Sequence, residues 1–232
     1  MFVIVICLAS IGYSLTVILS QWNDYQKSAQ GYEELLEVYK APGLEQENVD
    51  QEERMKEINH DYLGWISIGG TKINYPVVKG LDNSYYLNHN FYKKKDFVGS
   101  IFMDYRNTGT DADQHTIIYG HNMKDKSMFG SLKQYLNPEY YENHKIIQFD
   151  FQGQSTQWEI FSMYISNDTY LLETEFPTVQ SFEKFLIEKK GKSVSPIPTN
   201  VGADDKVLTL STCTTNSDSE RMIVHAKLIR GK

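Results

Sequence analysis

The sequence predicts a mostly β domain that follows helical segments at the N-terminus. From Gly64 onward, short stretches alternate apolar and polar residues, and glycine-containing turns separate them. Before Gly64, the apolar residues instead follow helical spacing. Many short strands with turns between them are typical of an all-β barrel or sandwich. With 41% hydrophobic residues among 232, the chain has enough apolar side chains for a core.

The first segment is apolar and carries no charge from Phe2 to Ser20. As an α-helix it would extend about 28 Å, close to the hydrocarbon thickness of a bilayer. A cleaved signal peptide usually has a shorter apolar core and a small-residue cleavage site. We therefore expect residues 1–22 to form an uncleaved, single-pass signal anchor in the cell membrane. The rest of the chain is expected on the extracellular face.

Two helices are predicted between the anchor and the β domain. Leu35, Leu36 and Tyr39 recur at helical spacing within 24–39, and the acidic stretch 45–57 predicts a second, short helix. The helices could form a solvated stalk or pack against the domain. The sequence leaves both alternatives open.

Eight strands are predicted in the rest of the chain. Gly69-Gly70 is a hairpin signal between the first two, and Gln152-Gly153 supplies another turn. The predicted strands cover 65–68, 73–77, 99–103, 116–119, 145–151, 157–165, 207–213 and 222–229.

One helix interrupts these strands over 181–190. Ser181 is the candidate N-cap, and Phe182, Phe185 and Leu186 line one face. We expect Gly191 to end this helix in a left-handed conformation.

Charge and cysteine content narrow the functional classes. The net charge of −7 argues against nucleic acid as a partner, because phosphate binding needs a basic surface. Cys7 lies in the apolar segment, where a thiol behaves as a small hydrophobe. A disulfide between the two cysteines of the chain would have to join that segment to the distant β domain, so Cys213 is expected to be unpaired. A leftover thiol in an exported protein is a candidate reactive group.

The last two predicted strands bring a cysteine and an arginine together. The connection from Thr214 to Glu220 is short, which favours antiparallel pairing of the strands on either side. Such pairing places Arg221, at the start of one strand, beside Cys213, at the end of the other. A guanidinium there could favour the thiolate or stabilise the oxyanion of a tetrahedral intermediate.

A cysteine nucleophile usually needs a partner that transfers protons. Among six histidines, His121 stands out because it follows a predicted strand at Gly120, and a strand end can aim a side chain into a cleft. Spacing alone does not select it over the other five.

Several segments resemble sortases. Thr209–Cys213 resembles their Thr-Leu-x-Thr-Cys signature, and Arg221 follows it shortly afterwards. The resemblance extends over 61–229 and keeps the order His, Cys, Arg. Further similar segments are Tyr119–Met123, which matches the histidine region of the family, and Asn74–Val78 and Ile101–Arg106, which match class B sortases.

The resemblance implies a closed eight-stranded sortase-type β-barrel with N-terminal helices and one helix between the sixth and seventh strands. We accordingly divide the chain into a transmembrane signal anchor (1–22), helices or a helical stalk (23–60) and a catalytic barrel domain (61–232).

The resemblance also implies an activity, that of a cysteine transpeptidase. Cys213 would attack a threonine carbonyl in the C-terminal sorting motif of a secreted protein, His121 would protonate the leaving amine, and Arg221 would bind the oxyanion. The implied partners are sorting-signal peptides and an amine of a peptidoglycan precursor or cross-bridge. Neither a cofactor nor a metal is expected.

By the same resemblance, Ser211, Tyr170, Leu171 and Leu87 are candidates for the peptide groove. Core packing is an equal alternative for Tyr170 and Leu171. Asn122 could orient His121 or cap a turn. Thr214 departs from the acidic residue that often follows the cysteine in class B members.

Two other functions remain open at this stage. A cell-wall cysteine peptidase or amidase would use a similar cysteine and histidine but would not need Arg221. A β-domain that only binds a partner would leave Cys213 without a chemical role.

Overall fold

The computed structural model describes residues 2–41, 47–168, 172–213 and 220–229. Eight strands close into a barrel with the order β1-β2-β3-β4-β7-β8-β6-β5. The strands are β1 (Tyr62–Ser67), β2 (Asn74–Val78), β3 (Ile101–Met103), β4 (His115–Tyr119), β5 (Ile146–Phe151), β6 (Gln154–Ser166), β7 (Val207–Cys213) and β8 (Arg221–Leu228). The predicted fold class is confirmed, and each predicted strand overlaps one in the structure.

Two of the neighbouring strand pairs are parallel. β2 runs parallel to β3, and β4 runs parallel to β7, whereas the other neighbours in the described barrel are antiparallel. Parallel neighbours require a long crossover connection between them. The crossover from β4 to β7 contains β5 and β6, so residues far apart in sequence meet at one end of the barrel.

Two tight turns lie at the glycine-containing turns that the sequence predicts. Gln152 and Gly153 both have positive φ, at 52° and 70°, and they join β5 to β6. Consecutive left-handed residues are typical of a two-residue hairpin turn whose twist matches that of the strands. Gly70, with φ of 77°, lies in the turn between β1 and β2.

The N-terminal helices are α1 (Phe2–Lys40) and α2 (Glu47–Ile58). The second half of α1 packs on the barrel: Leu35 is 1% exposed, the Tyr39 ring stacks on Trp65 at 4.0 Å, and the Tyr32 hydroxyl donates to the Gly99 carbonyl at 2.6 Å. In α2, Met55 is fully buried. Of the two alternatives left open by the sequence, packing against the domain is therefore the observed one.

The apolar half of α1 is exposed where its side chains are described. Ile4 and Leu8 are both 63% exposed, and Leu19 is 61% exposed. No helix in the described parts of the chain is both long enough and apolar enough to cross a membrane.

The helix between β6 and β7 is α4 (Val179–Gly191), and α3 (Pro138–Asn143) precedes β5. The expected N-cap of α4 is wrong. Thr178 is the N-cap: its side chain accepts from the Ser181 backbone amide, and the Ser181 hydroxyl oxygen accepts from the Thr178 backbone amide, as a capping box requires. Gly191 is the last helical residue and does not have a positive φ, so the expected left-handed ending is also wrong.

The sequence patterns did not predict three short helices. They are α3 and two 3-10 helices, Tyr85–Leu87 and Gly130–Leu136. Each is too short to show a helical repeat in the sequence. The two 3-10 helices contribute directly to the site described next.

Candidate active site

The parallel pairing of β4 with β7 brings two distant strand ends together. The last paired residues are Tyr119 and Ser211, and the Gly120 amide donates to the Ser211 carbonyl at 3.2 Å. His121 and Cys213 each follow this pair by two residues. Since parallel strands advance in the same direction, the backbones of His121 and Cys213 leave the sheet at the same end of the barrel.

The antiparallel pairing of β7 with β8 adds an arginine at that end. Cys213 pairs with Arg221, and on its other side Arg221 pairs with Ser166 at the end of β6. Three strand ends therefore converge where the predicted cysteine, histidine and arginine lie. The Arg221 residue is half-buried.

His121 is held by a backbone carbonyl. Its Nε2 lies 2.6 Å from the Leu87 oxygen, in the 3-10 helix that precedes β3. A carbonyl oxygen only accepts hydrogen bonds, so Nε2 carries the hydrogen and donates it. Nδ1 is then the nitrogen that gains or loses a proton as His121 changes between imidazole and imidazolium.

Close packing fixes the loop that follows His121. The Phe129 amide donates to the His121 carbonyl at 3.0 Å. A Cβ atom on Gly130 would lie 2.1 Å from the Met123 carbonyl oxygen, and one on Gly120 would lie 2.4 Å from Cδ1 of Ile101. Only glycine fits at these two positions without displacing neighbouring atoms, so the backbone on both sides of His121 has little freedom.

A small cavity of about 90 Å³ opens beside Arg221. Tyr119, Tyr164, Ser211 and Leu172 contribute to its wall. Ser211 is 1% exposed, and its hydroxyl oxygen has no hydrogen-bond partner among the residues that the structure describes. A buried hydroxyl without a partner is costly, so this one is available to a ligand in the cavity.

A buried carboxylate lies behind this cavity. Asp104 is 0% exposed and accepts from Nε and Nη2 of Arg106 at 2.9 and 2.7 Å. It also accepts from the Tyr119 hydroxyl at 2.9 Å and from Asn83 at 3.1 Å. Burial alone would raise the pKa of Asp104, but the hydrogen bonds from Arg106 and Tyr119 hold this pKa below its ordinary value.

The same network reaches the connection between β6 and α4. Arg106 Nη2 donates to the Leu172 carbonyl at 2.8 Å in addition to its bond with Asp104. Burial, followed by the neighbouring Asp104 charge, raises the pKa of Tyr119, so its hydroxyl keeps its proton and donates to the carboxylate. Within the described residues, no group of three or more His, Cys, Asp or Glu side chains could hold a metal ion.

The predicted pocket residues are placed as follows. Ser211 lines the cavity beside Arg221. The carbonyl of Leu87 accepts a hydrogen bond from His121, and Leu87 is 42% exposed. Asn122 forms an isolated β-bridge with Met128, and its Nδ2 is buried with no partner in the described part of the chain. Tyr170, Leu171 and Thr214 lie outside the described residues.

No sequence pattern predicts a role for Asp104, Arg106 or Tyr119. These residues belong to the segments Ile101–Arg106 and Tyr119–Met123, which contribute only to the family resemblance. That resemblance was the one available signal, because their hydrogen bonds depend on the tertiary contact of β3 with β4.

Comparisons with known proteins agree with this architecture. A family model for the sortase domain matches residues 66–229. Sortase B of Listeria monocytogenes is 42% identical over 183 residues, which cover 78% of this chain and 74% of that protein. A structure of sortase B from Bacillus anthracis has a TM-score of 0.82 at 36% identity. The matched region covers 90% of this chain and 100% of the Bacillus chain.

A further similar structure is a Staphylococcus aureus sortase B–substrate complex. Its TM-score is 0.80 at 36% identity, and it covers 90% of this chain and 99% of that one. This chain therefore belongs to the sortase family, and its similarity is to class B members of that family. Sortases are cysteine transpeptidases that act on sorting-signal peptides and cell-wall precursors, and the chain is an enzyme of this type.

A Gly130→Ala variant tests whether the loop after His121 must keep its observed course. The added Cβ would meet the Met123 carbonyl, so the loop must shift. A shift of about 1 Å near a catalytic group can cost up to about a hundredfold in rate, and we expect kcat/KM to fall at least about tenfold. Peptide-cleavage kinetics measure this.

The matched control is Gly202→Ala, because a Cβ at Gly202 meets no atom within 4 Å among the described residues. This control should keep the activity of the unmodified enzyme. Unchanged kcat/KM in Gly130→Ala would contradict a fixed loop.

Proposed function

We propose that Cys213, His121 and Arg221 carry out the transpeptidation chemistry of this sortase. The observation that supports the proposal most strongly is the strand register. It pairs Cys213 with Arg221, and the parallel neighbour β4 leads His121 to the same barrel end. Two residues 92 positions apart in the chain thus leave the barrel at the same end, where Arg221 lines a small cavity.

In the proposed first step, the Cys213 thiolate attacks the carbonyl carbon of the threonine in a sorting motif. The carbonyl oxygen becomes an oxyanion, which the Arg221 guanidinium stabilises by charge and hydrogen bonds. His121, as imidazolium, gives a proton to the amide nitrogen, and the C–N bond breaks. The products are a thioacyl-enzyme and the free amine of the C-terminal fragment.

In the proposed second step, an amine of the cell wall attacks the thioacyl carbon. His121, now neutral, takes a proton from this amine, and the C–S bond breaks to return the thiolate. The new amide joins the secreted protein to the wall component. His121 thus acts as an acid in the first step and as a base in the second. The hydrogen bond from Nε2 to the Leu87 carbonyl permits both roles, because it leaves Nδ1 to give and take the proton.

For the peptide groove we propose Ser211, Leu87, Asn122, Tyr170 and Leu171. The unpartnered hydroxyl of Ser211 in the Arg221 cavity supports its assignment. The contact between the Leu87 carbonyl and His121 supports a groove that passes the 3-10 helix Tyr85–Leu87. For Tyr170 and Leu171 the support is the family resemblance and the position of their neighbour Leu172 in the cavity wall.

We also propose that residues 1–22 anchor the enzyme in the cell membrane with its catalytic domain outside. The support is the uncharged sequence from Phe2 to Ser20 and the exposure of its described apolar side chains, such as Ile11 at 56%. An apolar face exposed along several helical turns is stable in lipid but costly in water.

The reaction is tested with a fluorogenic library of sorting-like pentapeptides, with and without triglycine as the accepting amine. We expect cleavage that requires Cys213 and a product ligated to triglycine, identified by mass.

Arg221→Ala should lower kcat by roughly a hundredfold to a thousandfold, as expected for the loss of one oxyanion donor. Arg221→Lys, which keeps the charge without the planar fork, should retain part of the rate.

Near-normal cleavage by Arg221→Ala, with no effect of triglycine, would favour a cell-wall cysteine peptidase or amidase. A Cys213 thiol that reacts with alkylating reagents no faster than a model peptide would favour a binding domain.

The membrane proposal is tested by expressing the full chain and a chain that begins at Asn23 in a Gram-positive host. We expect the full chain to stay with membranes after alkaline carbonate extraction, and external protease to digest its catalytic domain. The shorter chain should not partition with membranes. Extraction of the full chain at high pH would argue against an anchor.

A further inference from the structure

A chain of buried hydrogen bonds crosses four strands of the barrel beside the Arg221 cavity. Nδ1 of His115 lies 2.6 Å from the Glu173 carbonyl, and its Nε2 lies 2.7 Å from the Thr209 hydroxyl. The same hydroxyl lies 2.6 Å from Nδ1 of His225, whose Nε2 lies 3.0 Å from the Tyr164 hydroxyl. None of these side chains has a part in the steps proposed above.

The geometry assigns every proton in this series of four hydrogen bonds. The Glu173 carbonyl only accepts, so His115 donates from Nδ1 and, when neutral, accepts at Nε2 from Thr209. The Thr209 oxygen then accepts from Nδ1 of His225. The remaining nitrogen of His225 accepts from the Tyr164 hydroxyl. All four hydrogen bonds are made with both histidines neutral.

The surroundings keep the histidines neutral. His115 and His225 are both 0% exposed, and the His115 ring lies against the rings of Phe176 and Phe185. Burial, which outweighs the hydrogen bond to Glu173, lowers the pKa of His115 to about 4. At neutral pH His115 therefore has one ring proton, and that proton is committed to the Glu173 carbonyl.

The adjacent carbonyl is held in the same way. Arg106 Nη2 donates to the Leu172 oxygen at 2.8 Å, and His115 donates to the oxygen of the next residue, Glu173, at 2.6 Å. Residues 172–176 belong to no helix or strand. Side-chain donors at these two carbonyls therefore hold the start of this stretch on the barrel, in addition to the packing of Leu172 and Phe176 against buried apolar residues.

The anchored stretch forms part of the functional cavity. Leu172 and Glu173 line the cavity beside Arg221, opposite residues of β4, β7 and β8. A displacement of this stretch would change the width of the cavity without moving Arg221 or Ser211, because strand pairing holds those two residues.

We propose that His115 is a positioning residue, which together with Arg106 fixes the Leu172–Glu173 wall of the cavity and thereby sets how tightly the sorting peptide binds. This inference rests on the proposed function of the cavity beside Arg221. A buried histidine that takes no part in the proposed chemistry would thus affect substrate binding through its hydrogen bond to the Glu173 carbonyl.

Two variants at one position test the proposal in the full-length chain. Asn and Leu have the same branching, and both remove the contact with Thr209. Only His115→Asn keeps a donor that can reach the Glu173 carbonyl, whereas His115→Leu is better suited to the apolar surroundings. We expect His115→Leu to raise KM about tenfold with kcat changed less than about threefold, and His115→Asn to keep KM within about threefold.

Stability should follow the opposite order, which separates positioning from a general loss of structure. Asn buries a polar amide among Phe176 and Phe185, so the Tm of His115→Asn is expected to be lower than that of His115→Leu. A KM that follows Tm, or an equal KM in the two variants, would overturn the proposal.

Thr209→Val is a control that breaks the link to His225 but leaves the His115 donor on Glu173. It should lower Tm without raising KM. If His115→Asn does not fold, the comparison of His115→Leu with Thr209→Val decides, and equal KM values would overturn the proposal.

Amide hydrogen exchange gives a readout that does not need catalysis. Amides of 172–176 should exchange faster in His115→Leu than in Thr209→Val, with β5 unchanged in both. If the unmodified enzyme shows no cleavage dependent on Cys213, the proposed function fails, while the exchange result still decides whether His115 positions this wall. Equal exchange in the two variants would overturn that part.

Discussion

The rest of the site depends on the parallel hydrogen bonding between β4 and β7. Its register, Tyr119 opposite Ser211, leads His121 and Cys213 out of the sheet at one end. The antiparallel partner β8 then supplies Arg221 directly opposite Cys213. Strand pairing is a rigid way to place side chains because each backbone is held by repeated hydrogen bonds on both sides. The barrel thus brings together three residues that no local segment could assemble.

Buried polar groups around this end are held with few degrees of freedom. Asp104 accepts from both Arg106 and Tyr119, while His115 and Arg106 hold the carbonyls of Glu173 and Leu172. Removing one partner from such a network leaves another buried group unsatisfied, so the arrangement resists alternatives. The Ser211 hydroxyl, in contrast, has no partner among the described residues, and it faces the cavity where a substrate group could supply one.

Local patterns in the sequence were sufficient for the strands and for the pair β7–β8, because alternation and a short connection are local properties. They could not predict that β4 lies beside β7, since the alternation of side chains does not specify which strands are neighbours. The family resemblance implied only a closed barrel in which His121, Cys213 and Arg221 act together, and it did not give the strand order. For the same reason His115 and His225 could not be distinguished from surface histidines. The N-cap of α4 was misplaced by three residues because Thr178 and Ser181 form a reciprocal capping box.

We propose that His121 and Arg221 act on one reacting group at Cys213, and the strand register supports this proposal. A double-mutant cycle on kcat/KM with His121→Ala, Arg221→Ala and the double variant tests it most directly. Residues that act as a unit are strongly non-additive, so the double variant should lose about as much activity as the worse single variant. Losses that multiply across the two substitutions would mean that the residues act independently, and would contradict the account.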